Sequence, residues 1–460
     1  MINYKKKKKI AEQALADARD VDLAVQAAKR VHSTGVLTDM RPVERGRIVQ
    51  AMGRYLLEHL EEIAALLSLE QGKPVWEARI EVTGAARYFE YYGNQAETLE
   101  GRSIPLGAGY FDFTTDEPYG VSAQIIPWNF PVEMTARSLS AALTTGNTVV
   151  VKPPEMTPLS NAWFAHAAEA VGLPKGAVNL VCGYGHQAGA ALSAHPDINQ
   201  VVFTGSVATG IAIASAAAKN VVPCVLELGG KSAAIVHSDA DLVAMETDIR
   251  KGIFINAGQV CSAMSRIIVH ESRHDELVQR AVSIAESLSV GPGADRQTFG
   301  ANMGPMVSIK QRDRAVGLVS EAVSQGAKLV TGGRAMNIPG AFLQPTVLAE
   351  VTPEMTIAQT EVFGPVLSVL RFREDAEAIE IANGTDYGLV GGVFTRDLDR
   401  ATQVARKIRA GQVFVNEWFA GGVETPFGGY GKSGYGREKG REALWNYVQT
   451  KNIAIKLKRT

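Results

Sequence analysis

The chain predicts an α/β protein with a Rossmann-like parallel-sheet domain, a second α/β domain and a small β element, and three observations carry that prediction. From about residue 120 short apolar runs alternate with alanine-rich helical stretches, the texture of parallel strands joined by crossover helices. The alternation starts afresh near residue 230 in a chain of 460 residues, too long for one ordinary core. Two further segments, Gly101–Pro118 and Lys451–Lys458, alternate polar and apolar side chains away from either sheet.

Taken in order, the lysine run Lys5–Lys9 reads as a solvated tail. Residues 17–72 read as helical. Ala24, Val25, Ala28 and Val31 recur at helical spacing after Asp20, which is placed as the cap, and Ile48, Met52, Leu56, Ile63 and Leu67 share one face of Arg45–Glu70. Gly101–Pro118, with Phe111, Phe113 and Thr115, predicts a β-hairpin. Buried strands are expected at Val121–Ile126, Thr148–Lys152, Ala177–Val181 and Gln200–Phe203, with helices such as Ser160–Val171 and Gly189–Ala194 between them. The second unit repeats the pattern at 232–236, 265–269, 366–370, 389–394 and 413–416. In Lys451–Lys458, Ile453, Ile455 and Leu457 alternate with polar residues. Two such ribbons suit contacts between subunits, so a homodimer or homotetramer is expected. The chain divides into 1–98 with 120–229, 230–433, and the bridging and oligomerisation segments 99–119 and 434–460.

A net charge of −1 and a pI near 6.7 ask for neither nucleic acid nor an anionic membrane as partner. No run of 18 apolar residues and no secretory signal is visible. Three cysteines, Cys182, Cys224 and Cys261, make no disulfide framework; they point to a reducing, cytoplasmic setting and leave room for one reactive thiol. Cysteines and histidines lack zinc spacing, so no metal is expected.

Five strings carry chemistry. Cys261 follows Asn256-Ala257-Gly258-Gln259-Val260, small residues that allow backbone to approach a ligand, although a lone cysteine is more often a small buried hydrophobe. In Leu226-Glu227-Leu228-Gly229-Gly230-Lys231 a carboxylate sits in an apolar strand end, where burial is costly without a task or a partner. It is either a general base or the partner of Lys231. In Ile126-Pro127-Trp128-Asn129-Phe130-Pro131, Asn129 can donate to an oxyanion, or simply form the turn. Val149-Val150-Val151-Lys152-Pro153-Pro154-Glu155 ends a strand in a lysine and a glutamate suited to ribose hydroxyls. Phe203-Thr204-Gly205-Ser206, opening a helix, can offer backbone N–H groups to a pyrophosphate, though it is not the common dinucleotide fingerprint.

Together with Glu361-Val362-Phe363-Gly364-Pro365 and Thr425-Pro426-Phe427-Gly428-Gly429, these strings occur in the order found in the aldehyde dehydrogenase superfamily, which the chain resembles from about residue 10 to its end. The resemblance implies an NAD-dependent oxidation of an aldehyde to its acid through a thioester on Cys261. It gives Glu227 the role of base, and Asn129 with the Cys261 backbone N–H that of oxyanion hole. Lys152 and Glu155 fall on the adenosine ribose, Gly205 and Ser206 under the pyrophosphate, and Glu361 with Phe363 at the nicotinamide ribose; Ile126, Trp128 and Gly185 complete the cofactor cleft. Glu438 falls on a proton path. A carboxylate at position 155 favours NAD over NADP, because it repels a 2′-phosphate. Glu227 favours a free acid over transfer to coenzyme A, the alternative reading; a catalytically silent relative is the other.

For the substrate, the resemblance gives Phe130, Met134, Arg137, Ser262, Trp418, Phe419 and Phe427 as pocket residues. Arg137 either meets a carboxylate on a semialdehyde or pairs with Glu133 one turn away. Trp418, Phe419 and Phe427 are expected to form an aromatic tunnel wall suited to flat or apolar aldehydes. One departure stands out: relatives usually begin some tens of residues earlier, with strands and a loop near the cofactor domain.

Overall fold

The computed structural model describes residues 2–3, 8–292 and 302–458. The lysine run lies mostly outside the described residues; its last two members pair antiparallel with Ile2–Asn3.

Two sheets organise the molecule. In the first, strands lie in the order Gly434–Tyr435, Cys224–Glu227, Gln200–Thr204, Val121–Ile125, Thr148–Lys152 and Val178–Leu180; all pair parallel except the short Gly434–Tyr435, which runs antiparallel along the edge. Numbered along the chain, the five parallel strands take the order 5-4-1-2-3. The direction of winding therefore reverses between Val121–Ile125 and Gln200–Thr204. A ligand crevice is expected outside the carboxyl ends of those two strands, where Pro127–Asn129 and Gly205–Ser206 emerge. The sheet is covered on both faces, by a core built on Met52, Leu56, Phe89 and Phe164 on one side and by Val21, Val25, Ile198 and Ile213 on the other.

The second sheet has the order Lys328–Thr331, Thr346–Ala349, Val366–Phe372, Arg266–His270, Ala233–Val236, Val390–Phe394 and Gln412–Val415. Only its first pair is antiparallel. Its central strands Ala233–Val236 and Val390–Phe394 are wholly apolar, as strands buried on both faces must be, and Arg266–His270 is apolar between its two polar ends. The chain steps from one sheet to the other through Leu228–Ser232, so Glu227 sits at their junction.

Strand positions follow the sequence expectation to within one or two residues, but three local readings are corrected. The first helix, Ala18–Ser33, is capped by Asp17, whose side chain accepts from the Arg19 and Asp20 N–H groups, while Asp20 reaches back to the Asp17 N–H in a capping box. The Arg45–Glu70 helix is two helices, Pro42–Glu58 and Leu60–Gln71, that meet at His59. Gly101–Pro118 does fold back on itself, with Ile104 N–H donating to Asp112 O and Thr114 N–H to Arg102 O. Its long partner, however, is the C-terminal ribbon. Tyr110–Pro118 pairs antiparallel with Val448–Lys456 along the full length of both, within one chain. Each ribbon thereby satisfies an edge of the other, and the pair still leaves Tyr110, Phe111, Ile455 and Leu457 exposed. No helix among the described residues is long and apolar enough to cross a membrane.

Candidate active site

A cavity of about 810 Å³ opens where the crevice of the first sheet faces the second. Its wall includes Trp128, Asn129, Phe130, Met134, Arg137, Gly205, Ser206, Cys261, Ser262, Glu361, Phe363, Phe419 and Phe427. Strings remote in sequence thus converge on one space.

The loop carrying Cys261 is shaped by its backbone. A π-turn at Arg250–Phe254 leads into Asn256, Ala257 and Gly258, at φ 49°, 52° and 68°. Two consecutive non-glycine residues in the left-handed region cost on the order of 1–2 kcal/mol each, so other contacts must hold them. At Gly258 a Cβ would lie 2.2 Å from Gly364 O, so no side chain fits. The holding contacts come from helices whose sequence reads only as an amphipathic face. Glu77 accepts from the Asn256 N–H at 3.1 Å, and Gln71 donates to Asn256 Oδ1 at 2.9 Å. Asn256 Nδ2 in turn donates to Asn129 O at 2.9 Å, which Lys73 Nζ also reaches at 3.0 Å. Lys73 forms a fully buried ion pair with Glu81, whose other oxygen accepts from Val132 N–H at 2.9 Å. The Asn129 turn and the Cys261 loop are therefore clamped together by Gln71, Lys73, Glu77, Glu81 and Asn256. The sequence offers one signal for this clamp: carboxylates four residues apart, Glu77 and Glu81, directly after Gly72-Lys73-Pro74.

Asn129 Nδ2 donates to Gln259 O at 3.0 Å; a primary amide carries a second N–H. Burial pushes the Cys261 thiol up to about 12, while the positive charge of Arg137 pulls it back. Glu227 is 2% exposed and lies behind the cavity wall rather than on it; among the described residues neither of its oxygens has a hydrogen-bond partner, and Lys231 Nζ has none either. The alternative pairing of Glu227 with Lys231 is not formed. Burial first, then the charge of Glu438, holds the Glu227 carboxyl well above the ordinary carboxylate range, and Arg137 opposes both.

Arg137 is corrected in its partner. It forms a buried ion pair with Glu438, not with Glu133, and its guanidinium lies 5.7 Å from the Phe427 ring centroid. Burial works against that charge, but Glu438 beside it keeps it firmly protonated. Phe427 and Glu438 exchange both backbone hydrogen bonds, at 2.6 and 2.7 Å, which fixes the pair against the tunnel.

Trp418 is also corrected. It is fully buried and lines no part of the cavity. Its indole N–H donates to Ser262 O at 3.2 Å, and its ring fills space left by Gly252 and Gly392, where a Cβ at Gly392 would lie 2.7 Å from it. An indole needs an acceptor when buried; here it supports the Cys261-Ser262 backbone from behind. Phe419 and Phe427 do face the cavity.

At the other end, Ser206 caps the helix Val207–Ala218 through Thr209 N–H, and Gly205 N–H donates to Glu227 O at 2.9 Å. Lys152 Nζ meets Glu155 at 2.7 Å at the end of its strand. Burial would raise the Glu155 carboxyl, but the pairing with Lys152 holds it below the ordinary range. Glu70, which burial lifts to about 7, accepts from the N–H groups of Leu159 and Ser160 and so anchors the loop presenting Glu155. Gly185 opens a π-turn next to His186, whose charge Glu155 senses. Ile126 N–H donates to Lys152 O at 3.1 Å, tying the two strand ends together. Glu361 accepts from Gly230 N–H at 3.0 Å, and burial lifts its carboxyl to about 7. The Phe363 ring stands edge-on to Trp128 at 5.3 Å. Arg314 and Gln311, which no sequence motif singles out, donate to the carbonyls of Glu361, Val362 and Phe363 and hold this loop in place.

Comparison with known proteins places these features in a family. The aldehyde dehydrogenase family model matches residues 1–453, so the match takes in the N-terminal residues that the sequence reading sets apart. Human retinal dehydrogenase 2 is 41% identical over 451 residues, covering 97% of this chain and 86% of that one. An aldehyde dehydrogenase of Emericella nidulans is 40% identical over 458 residues, 99% of this chain and 91% of its own. Among solved structures, the NAD+ complex of an aldehyde dehydrogenase from Bacillus cereus superposes with a TM-score of 0.97 at 39% identity, covering 99% of this chain and 93% of that one. The chain belongs to the aldehyde dehydrogenase family, oxidoreductases that act on aldehydes with a nicotinamide dinucleotide.

Proposed function

We propose that the chain oxidises an aldehyde to the free carboxylic acid with NAD, through a covalent adduct on Cys261. The observation that carries this is the convergence on one cavity of Cys261, Asn129 and the Gly205–Ser206 and Glu361–Phe363 turns. The thiolate adds to the carbonyl carbon, and the oxygen takes up negative charge beside the free N–H of Asn129 and the Cys261 backbone N–H. Bound NAD supplies the acceptor for the departing hydride. Glu227, with two uncommitted oxygens, takes a proton from the water that opens the thioester, which requires it to turn toward the cavity or act through a water chain.

Lys152 and Glu155 are the residues we assign to the adenosine ribose, Gly205 and Ser206 to the pyrophosphate, and Glu361 to the nicotinamide ribose. Ile126, Trp128, Gly185 and Phe363 shape the same cleft. The Glu155 carboxylate, already facing Lys152, favours a ribose hydroxyl over a phosphate and so favours NAD over NADP. We divide the chain into a cofactor domain (1–98 and 120–229), a catalytic domain (230–433) and bridging segments (99–119 and 434–460). The exposed apolar residues of the ribbon support a homodimer or homotetramer, and three free cysteines support a cytoplasmic setting.

The test is product analysis on wild type and Cys261→Ser. Wild type is expected to yield free acid and NADH in equal amounts, and the serine variant to lose nearly all turnover. An acyl-coenzyme A product, or full turnover without the sulfur, overturns the reading.

A further inference from the structure

Once the charges bordering the cavity have been matched to partners, two are left. Arg137 is taken by Glu438, and Glu361 by the Gly230 N–H and the charges of Lys231 and Arg314. Glu133, on the first turn of the helix Pro131–Thr144, and Lys439, in the loop after Glu438, both line the cavity and are half-buried. Among the described residues neither has an ion-pair partner, and they do not pair with each other, although each lies in the other's field. Lys439 Nζ sits 5.8 Å from the centroid of Phe427, the same ring that Arg137 approaches from its own side. Lys439 is therefore at the Phe427 end of the cavity, with Glu133 within reach of its field. Lys439 is held there by a left-handed backbone, φ 60°, which a lysine does not adopt by preference.

Half-buried charges of opposite sign that stay apart rely on solvent for their partners, and a ligand that displaces that solvent must bring both complements to keep the two satisfied. Resting on the reaction assigned above, we propose that Glu133 and Lys439 select an aldehyde whose far end is zwitterionic, an ammonium and a carboxylate as in an ω-aldehyde of an α-amino acid. Glu133 takes the ammonium and Lys439 the carboxylate, while Met134 and Phe427 enclose the chain between. A carboxylate alone would leave Glu133 as a repelling neighbour, and an amine alone would leave Lys439 as one.

The experiment compares four aldehydes of matched length: hexanal, an ω-amino aldehyde, an ω-carboxy aldehyde, and an α-amino-acid aldehyde long enough not to close as a small cyclic imine. kcat/KM for each is divided by that for hexanal on the same protein, which cancels losses of fold. Wild type is expected to prefer the zwitterion. Glu133→Gln should lower the ratio about tenfold for the two amines only, and Lys439→Met about tenfold for the two carboxylates only, as loss of one charged hydrogen bond implies. Parallel changes in all ratios, or a wild type that prefers hexanal, overturn the proposal. Failure to oxidise any of the four, hexanal included, instead overturns the reaction itself.

Discussion

Replacing Lys73 by methionine is predicted to be among the most damaging single changes outside the three residues assigned above to catalysis. The Lys73 and Glu81 side chains are both 0% exposed, so their attraction is unscreened by solvent. Removing the ammonium leaves an anionic Glu81 enclosed with only the N–H groups of Val132 and Glu133, at 2.9 and 3.3 Å, to answer it. Breaking one half of a buried pair costs about 3–5 kcal/mol. Glu81→Gln added to Lys73→Met removes both charges and keeps an amide oxygen for Val132, so the double variant should recover more than half of that loss. Urea unfolding followed by tryptophan fluorescence measures both, a change in midpoint at constant slope reporting stability. Activity should fall less steeply than on loss of Asn129 itself, because Asn256 Nδ2 continues to hold the Asn129 carbonyl at 2.9 Å. A Lys73→Met protein within about 0.5 kcal/mol of wild type, the range of an ordinary surface change, refutes the clamp. So does a double variant worse than either single one.

Glu155→Ser should raise kcat/KM with NADP relative to NAD by about tenfold, read from initial rates with each cofactor; an unchanged ratio removes Glu155 as the discriminator. Glu361, raised to about 7 from an ordinary value near 4.5, favours the folded state most when protonated. That stability is full below pH 4.5 and is lost as the pH rises through 7. Glu361→Gln should therefore gain on wild type by at most about 3 kcal/mol between about pH 5 and 8 in thermal unfolding, less to the extent that the cavity admits water. Trp418→Phe strips the donor from Ser262 O at a cost of about 1–3 kcal/mol. It should leave the order of substrate preference unchanged, whereas Phe427→Ala should reorder it; a substrate panel on both decides. Glu438→Gln removes a like charge from Glu227 and should shift the acidic limb of kcat/KM to lower pH; an unmoved limb separates the two carboxylates.

What was legible in the sequence was whatever depends on local pattern. Buried runs such as Thr148–Lys152 have no counterpart among solvent-facing segments, so that strand and its neighbours were placed almost to the residue. Chemistry at strand ends was legible for the same reason: Asn129, Lys152 and Glu227 each interrupt an apolar string. Partners at long range were not. Arg137 has Glu133 one turn away and Glu438 far down the chain, and helical spacing can rank only the first. Trp418 and Phe419 are adjacent aromatics; which faces the cavity is decided by a left-handed Phe419, φ 67°, that composition does not reveal. Glu77 and Glu81, four apart on the helix Val75–Gln95, read as a solvated face, and Lys73 as part of the turn before it, until the Cys261 loop is packed over them.

The charges behind Cys261 carry one further consequence for the reaction. Glu227 and Glu438 are buried beside one guanidinium, that of Arg137, which also borders the cavity, and Arg437 adds a second positive charge in reach of Glu227. Burial and the neighbouring Glu438 charge favour the protonated form of Glu227, and Arg137 opposes both. The direct contact of Arg137 is with Glu438, so its pull toward ionisation falls more on Glu438 than on Glu227. A base that rests protonated cannot accept a second proton. A protonated Glu227 must first pass its own proton outward, and what draws it out is the approach of a positive charge, that of Arg137 included. Arg137 thus acts on Glu227 through position alone. Its contact with Glu438 and its distance from Glu227 together decide how strong a base stands ready behind the sulfur, which is a different task from grasping the tail of a substrate.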